Sequence, residues 1–223
     1  MSFARLIDLS HTIVDGMQTY PGLPGPVVCD FLSREASRDH YHGLAEFAIT
    51  RVELVGNTGT YIDSPFHRFA SGIDIAELPL DRIAGRSGIV VRARGTETRA
   101  LGPEAFLGLP LVGRAVLVET GWCDRWGTPA YFEGNPFLTR AAAELLREEG
   151  VALVGIDSLN IDDTDDLARP VHTTLLGSGI PVVEHLRGLN DLPDQGFRFF
   201  AVPAPIRGCG TFPVRAFAEV DGE

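Results

Sequence analysis

Residues 57–67 read Asn-Thr-Gly-Thr-Tyr-Ile-Asp-Ser-Pro-Phe-His, which places an amide, two threonines, a phenol, a carboxylate and an imidazole within eleven positions. The stretch follows a strand-like run at residues 47–55. Pro65 disfavours a helix here, because proline lacks a backbone N–H and restricts the residue before it. We therefore expect an irregular loop at a strand end that points Asp63 and His67 into one cleft, where function often sits.

Composition predicts one ordinary globular domain over residues 1–223. Hydrophobic residues make up 44% of the chain and charged residues 22%, so a core of useful size needs no disulfide or metal. The net charge of -11, with no basic cluster, argues against nucleic acid or anionic membrane as the main partner. No apolar run approaches the roughly 20 residues of a membrane helix.

The cysteines indicate a reducing compartment. Cys29, Cys123 and Cys209 are odd in number, far apart and in no CxxC spacing, so we predict buried thiols in a cytoplasmic protein.

Short apolar runs dominate the predicted secondary structure. Several of them, such as residues 88–92 and 151–156, are nearly continuous, which suits strands covered on both faces. The clearest helix lies at 139–150, with Thr139 as N-cap and Gly150 at its end, and a second short helix is predicted at 102–107. We expect an α/β fold in which a mixed, barrel-like sheet carries outer helices. The predicted strands are 6–9, 47–55, 87–93, 115–119, 151–156, 179–184 and 197–203.

A second polar cluster lies late in the chain. Glu184 ends an apolar strand, and His172 follows an acidic run at residues 162–166. His, Asp and Glu are ligands that suit Zn²⁺ or Mn²⁺. The acidic run itself lacks the glycine and terminal glutamate of a calcium-binding EF-hand loop, so we interpret it as a solvated loop.

Taken together, these motifs resemble the cyclase family of metal-dependent hydrolases, which includes bacterial kynurenine formamidase and isatin hydrolase. The family signature H-x-G-T-H-x-D-x-P-x-H aligns with residues 57–67. Further family-like segments cover nearly the whole chain, so the resemblance implies the swivelling β/β/α fold of that family. These segments lie at 7–13, 20–24, 117–122, 155–158, 172–184 and 210–215.

The chain departs from the signature at its first two histidines, which are Asn57 and Tyr61 here. In the family, those histidines and the aspartate bind a divalent metal. The aspartate, a late histidine and a late glutamate help hold a second metal, and the last signature histidine transfers protons. The resemblance therefore implies metal ligands at Asp63, His172 and Glu184, and a proton-transfer role for His67.

The two substitutions leave three alternatives open. An amide oxygen and a protonated phenol are weak zinc ligands, so a two-metal site is not expected. In the first alternative, one Zn²⁺ or Mn²⁺ ion activates water while His67 is the base and Asn57 and Tyr61 bind the oxyanion. In the second, an Asp63-supported His67 acts without metal. In the third, the protein binds a ligand without catalysis. We favour a hydrolase of a carbon–nitrogen bond in a small linear or cyclic amide.

Aromatic residues are the candidates for substrate binding. By analogy with the family, Tyr20, Phe66 and Trp122 would line a pocket for a flat amide, lactam or lactone. Arg207 and Arg215 are candidates for pairing with a substrate carboxylate. The resemblance also implies a homodimer or homotetramer.

Overall fold

A nine-stranded mixed sheet forms the body of the protein in the computed structural model, which describes residues 4–96 and 98–220. The strands are β1 Arg5–Asp8, β2 Val27–Leu32, β3 Ile49–Glu53, β4 Tyr61–Asp63, β5 Arg86–Arg92, β6 Ala100–Leu101, β7 Ala115–Glu119, β8 Phe137–Leu138, β9 Leu153–Ile156, β10 Val182–Glu184, β11 Gln195–Phe200, β12 Thr211–Pro213 and β13 Phe217–Val220. Their order in the large sheet is β1-β13-β11-β5-β7-β9-β10-β4-β12. Within this sheet, strands β5, β7, β9 and β10 run parallel and the other neighbouring pairs are antiparallel, while β6 and β8 form a separate parallel pair.

Both faces of the central strands are buried, which explains their continuous apolar sequences. Side chains alternate across a strand, so Val116 and Val118 of β7 join one hydrophobic core while Ala115 and Leu117 join another. The first core lies against the outer helices, and the second fills the concave side of the sheet. The sequence-based prediction of strands covered on both faces is confirmed.

The sheet curls until its far strands meet. Leu9, which follows β1, donates its N–H to Ala216 O and accepts a hydrogen bond at its own carbonyl from Arg187 N. Arg187 follows β10, which is six places from β1 in the strand order. A flat sheet would separate these strands by roughly 29 Å at about 4.8 Å per strand. The result is the predicted barrel-like sheet, open as a half-barrel.

In the part of the chain that the structure describes, four α-helices accompany the sheet: α1 Arg34–His40, α2 Leu80–Ile83, α3 Arg140–Glu148 and α4 Pro170–Gly177. The Thr139 hydroxyl caps α3 by accepting a hydrogen bond from Ala142 N at 3.2 Å, as predicted. Gly150 follows its end with a φ of +66°, a conformation that favours glycine. The helix predicted at 102–107 is a 3-10 helix, Pro103–Phe106. Among the described helices, none has the length and apolarity to cross a bilayer.

The stretch 57–67 is more regular than the sequence suggests. Its middle forms β4, paired with β10 on one side and β12 on the other. Its end, Pro65–His67, forms a 3-10 helix rather than an irregular loop. Proline is acceptable there because the first helical position needs no hydrogen-bonded N–H.

Strands β2 and β3 form a separate antiparallel ribbon, which we call the β2–β3 ribbon. Every residue from 41 to 53 is exposed, including Leu44 and Phe47. Cys29 lies in this ribbon and is exposed, so the prediction that all three cysteines are buried is wrong. Cys123 and Cys209 are partly buried.

Gly88 in β5 allows the ring of Phe197 to pack directly across the backbone, because an added Cβ would overlap that ring. We expect Gly88→Ala to lower the free energy of unfolding by about 1–3 kcal/mol through overpacking. Urea unfolding followed by circular dichroism measures the change. The control is Ser87→Ala, at the exposed neighbouring position, where about 0.5 kcal/mol or less is expected. Equal effects of the two changes would contradict the packing argument.

Candidate functional site

Strand pairing brings the polar residues together. In the β4–β10 pair, Tyr61 lies opposite Glu184 and Asp63 opposite Val182. Residues two apart on a strand share a face, so Tyr61, Asp63 and Glu184 lie on the face that bears Val182, which belongs to the core beside the helices. Helix α4 covers this face and contributes His172.

Asp63, His172 and Glu184 form a compact triad. One ligand atom from each lies within 4.8 Å of the others. The Nε2 atom of His172 is 3.6 Å from Asp63 Oδ2 and 3.7 Å from Glu184 Oε1. All three side chains are buried, and neither oxygen of the Asp63 carboxylate has a hydrogen-bond partner among the described residues. The predicted metal ligands therefore meet in space.

Asp162 orients the His172 imidazole from behind. Its Oδ2 lies 2.6 Å from His172 Nδ1 and also accepts a hydrogen bond from His172 N at 3.0 Å. Its Oδ1 accepts from Val171 N at 2.6 Å. The Asp162 carboxylate therefore fixes a proton on Nδ1 and directs Nε2 toward the other two members of the triad.

Asp162 was missed at the sequence level, and the interpretation of residues 162–166 as a wholly solvated loop is wrong at this residue. Asp162 is fully buried, whereas Asp165 and Asp166 are exposed. The available signal was its position directly after the buried residues Asn160 and Ile161, although an acidic run hides one buried member among solvated neighbours.

The electrostatics of the triad follow from two carboxylates held in a buried space. Burial acts to lower the pKa of His172, but the hydrogen bond to Asp162, the close approach of Asp63 Oδ2 to Nε2 and the charges of Glu184 and Asp63 outweigh it and raise the pKa to about 10. Burial raises the pKa of Glu184 to about 7, with His172 opposing the shift and Asp63 adding to it. The site is built to hold positive charge against Asp63 and Glu184.

Tyr61 holds the Glu184 carboxylate in place by a hydrogen bond. Its hydroxyl donates a hydrogen bond of 2.6 Å to Glu184 Oε2, while Ile161 N donates to Oε1 at 2.6 Å. Burial, followed by the charges of Glu184 and Asp63, raises the pKa of Tyr61 well above its usual 10, against a hydrogen bond from Asn57. Tyr61 therefore stays protonated and donates its single hydroxyl proton to Glu184. It can donate to a substrate oxyanion only after the hydrogen bond to Glu184 breaks.

A cavity of about 420 Å³ opens above the triad. The exposed His67 stands at its wall, with the ring centroid 5.9 Å from that of His172. Most of the site residues predicted from the sequence line this cavity. Arg68, Asn160 and Arg169 also line it, and the sequence did not single them out. Predicted site residues that line it are Tyr20, Asn57, Tyr61, His67, His172 and Glu184.

Four residues predicted as candidates for substrate binding do not line this cavity: Phe66, Trp122, Arg207 and Arg215. Trp122 packs with Tyr131 and Leu159 in a small core, and its Nε1 donates a hydrogen bond to Tyr131 O at 2.9 Å. Phe66 is partly buried beside the cavity wall. Arg215 pairs with Asp8 at 2.7 Å, away from the triad. Tyr20 alone among the three predicted aromatic residues has a surface that a substrate in this cavity would meet.

The donor set fits a divalent cation. Burying a carboxylate that accepts no hydrogen bond costs free energy unless a positive charge lies beside it. Neither oxygen of Asp63 accepts a hydrogen bond among the described residues. One imidazole nitrogen and two carboxylates are ligands that Zn²⁺ and Mn²⁺ accept, and three protein ligands are a common set for catalytic zinc. The Asp162–His172 hydrogen bond is the usual support of a metal-binding histidine.

The same geometry weakens the metal-free alternative. That alternative needs Asp63 to hydrogen-bond His67, yet the Asp63 oxygens have no such partner. The imidazole that lies beside Asp63 is that of His172, whose Nε2 is 3.6 Å from Asp63 Oδ2.

Comparison with known proteins identifies the family. The model of the family described as "Putative cyclase" matches residues 7–163. The chain belongs to the cyclase family. It is 26% identical over 218 residues to kynurenine formamidase of Bacillus cereus, covering 97% of this chain and 98% of that one. It is 28% identical to kynurenine formamidase of Salinibacter ruber, with 95% of each chain covered.

Solved structures of the cyclase family share the fold. Isatin hydrolase A from Labrenzia aggregata, bound to benzyl benzoate, superposes with a TM-score of 0.84 at 21% identity, covering 98% of this chain and 94% of the other. A predicted metal-dependent hydrolase from Bacillus stearothermophilus gives a TM-score of 0.75 at 25% identity, with 98% and 99% covered. The resemblance stated from the sequence motifs and the predicted α/β fold are confirmed.

Replacing Asp162 tests the orientation of His172. We expect Asp162→Asn to weaken zinc binding about 10–100-fold, because the amide no longer accepts the Nδ1 proton as a charged partner. Competition with a chromophoric chelator measures the affinity of metal-stripped protein. Asp165→Asn, in the same acidic run and exposed, removes the same charge and serves as the control. Equal affinities of the two folded variants would remove the orienting role.

Proposed function

We propose that this protein is a one-metal hydrolase that cleaves a carbon–nitrogen bond of a small linear or cyclic amide. The observation that carries the proposal is the buried Asp63 carboxylate, which accepts no hydrogen bond among the described residues and lies beside His172 and Glu184, two residues that line a cavity. Membership of the cyclase family supports the reaction class, because relatives in it are named kynurenine formamidase and isatin hydrolase.

Asp63, His172 and Glu184 would hold one zinc or manganese ion. When bound, such an ion supplies a Lewis acid that makes water a stronger nucleophile near neutral pH. The protein's own residues fix the remaining geometry: Asp162 sets the imidazole, while Tyr61 and Ile161 N each occupy one oxygen of Glu184. A carboxylate oxygen has further lone pairs, so these hydrogen bonds leave Glu184 able to act as a ligand.

His67 is placed to move protons. It is exposed on the cavity wall and free to meet both water and substrate, unlike the enclosed His172. As base it would take a proton from the attacking water, and as acid it would return that proton to the leaving nitrogen. Such proton transfer typically contributes about 10²–10⁴ to the rate.

The floor of the cavity is polar and one side is aromatic. Tyr20 would stack on a flat substrate, and Asn57, whose Oδ1 accepts a hydrogen bond from the Thr211 hydroxyl at 3.1 Å, would present its amide N–H groups to it. This combination suits a planar amide of modest size, such as an aryl formamide or a lactam.

The His67→Ala variant tests the proton-transfer role. We expect kcat/KM for aryl formamides and lactams to fall about 10²–10⁴-fold while metal content stays unchanged. His40→Ala, an exposed histidine in α1 that does not line the cavity, is the control. If the wild-type protein turned over no amide and His67→Ala bound the same compounds equally well, the alternative of a binding protein would replace the hydrolase.

We also propose that the chain forms a homodimer or homotetramer. A two-stranded ribbon is only marginally stable alone in water, and the β2–β3 ribbon exposes large apolar side chains. Phe31 is 74% exposed and Phe47 54% exposed. A second copy packed on the ribbon would cover them. Light scattering behind gel filtration should give the mass of two or four chains, and a monomer at micromolar concentration would overturn the proposal.

A further inference from the structure

We propose that the side-chain amide of Asn160 donates a hydrogen bond to the carbonyl oxygen of the substrate and to the oxyanion that forms from it. The inference rests on the proposed function and assigns it a catalytic residue that no motif had singled out. Asn160 lines the cavity together with His67, His172 and Glu184.

Amide hydrolysis at this site needs a donor that Tyr61 does not supply. When water attacks the carbonyl carbon, an electron pair moves onto the carbonyl oxygen, and donors fixed in advance stabilise that charge most effectively. Tyr61 and Asn57 were predicted for this task, but the Tyr61 hydroxyl donates its single proton to Glu184 at 2.6 Å. Oxyanion holes commonly use two donors, so Asn57 needs a second donor beside it.

The orientation of the Asn160 amide is fixed by the backbone. Its Oδ1 accepts a hydrogen bond from Asp162 N at 3.0 Å, and only the oxygen of a side-chain amide can accept from an N–H. The Asn160 carbonyl is held in turn by Asn135 Nδ2 at 3.2 Å. Within residues 4–96 and 98–220, Asn160 Nδ2 donates to no acceptor and is not sealed from solvent. Because the residue is only 8% exposed and lines the cavity, its two N–H donors open into that space.

The residues that follow Asn160 tie its amide to the triad. Ile161 N donates to Glu184 Oε1 at 2.6 Å, and Asp162 Oδ2 lies 2.6 Å from His172 Nδ1. Consecutive Cα atoms are about 3.8 Å apart, so Asn160 lies directly beside the groups that hold Glu184 and His172. One short segment thus orients two members of the triad and presents a donor next to them.

Burial and charge separate Asn160 from the other new residues of the cavity. Asn160 is buried, whereas Arg68 is exposed and Arg169 is partly exposed. In the proposed reaction water is activated at the buried triad, so the reacting carbonyl has to lie there rather than at the rim. A neutral amide can also stand beside a bound cation without the repulsion that a guanidinium group would add.

Two substitutions separate donation to the substrate from support of Asp162. Asn160→Ala removes the Oδ1 acceptor and the N–H donors, while an ionised Asn160→Asp keeps an acceptor for Asp162 N and removes only the donors. We expect kcat for formanilide to fall about 10²–10³-fold in both variants, with most of the effect in kcat rather than KM. Asn160→Ala adds no charge, so agreement of the two variants excludes an effect of the new carboxylate. Recovery of kcat in Asn160→Asp would make Asn160 a positioning residue for Asp162 and overturn the donor role.

The control is Asn190→Ala, which changes an exposed asparagine outside the cavity and should keep the wild-type kcat. Thermal unfolding by circular dichroism checks that each variant is folded. Competition with a chromophoric chelator checks that zinc affinity is not weakened in Asn160→Asp.

Infrared spectroscopy tests the hydrogen bond without turnover. The isotope-labelled carbonyl of oxindole, a lactam, should absorb at lower frequency when bound to wild-type protein than when bound to Asn160→Ala, because a hydrogen bond to the oxygen weakens the C=O bond. Calorimetric titration checks that both proteins are saturated with oxindole.

The outcomes separate this inference from the proposed hydrolase. Turnover of formanilide with equal kcat in wild-type protein and Asn160→Ala overturns the donor role and leaves the hydrolase standing. If wild-type protein turns over no formanilide, the infrared measurement decides. A lowered carbonyl frequency that Asn160→Ala loses supports the donor role without the hydrolase, and equal frequencies or absence of oxindole binding to wild-type protein overturn it.

Discussion

The negative charge of Asp63 and Glu184, buried together beside one imidazole, is the constraint on which the site depends. Removing an ionised carboxylate from water costs several kcal/mol, and a second carboxylate beside it adds repulsion. The protein meets this cost partly with hydrogen bonds, since Glu184 accepts from Tyr61 and Ile161. Asp63 receives none, so the balance must come from positive charge at Nε2 of His172 or from a cation in its place.

This constraint explains the two unusual residues of the 57–67 stretch. In the family signature, the positions of Asn57 and Tyr61 are histidines, which are metal ligands. In this chain Tyr61 is a neutral hydrogen-bond donor to Glu184, and the Asn57 Oδ1 accepts a hydrogen bond from the Thr211 hydroxyl at 3.1 Å. Tyr61 thus places a hydrogen-bond donor to Glu184 where the signature has a histidine, which agrees with the proposed one-metal site.

Sequence patterns predicted those parts of the fold that depend on local chemistry. The apolar runs located β5, β7 and β9, because strands buried on both faces need such runs. Thr139 and Gly150 marked the ends of α3 correctly through their capping roles. Short strands such as β4 and β12 escaped prediction, since three residues carry too little periodicity to separate a strand from a loop.

The reactive residues of the site could be predicted from the sequence, but the residues that surround and orient them could not. Asp63, His172 and Glu184 were recognised by their chemistry and by family resemblance, and they meet in space. Asp162 was interpreted as one of several solvated acids, and Arg68 and Arg169 were not singled out. The positions of these residues at the site depend on where α4 lies against the sheet, which is a long-range packing result that no local pattern encodes.

The most direct test of the account is metal content by mass spectrometry on gently purified protein, beside the variant Asp63→Asn/His172→Ala/Glu184→Gln. The account predicts about one zinc or manganese ion per chain in wild-type protein and none in the variant. No metal in either protein, even after incubation with zinc and manganese, would contradict it. The charge of Asp63 and Glu184 would then be balanced by His172 alone.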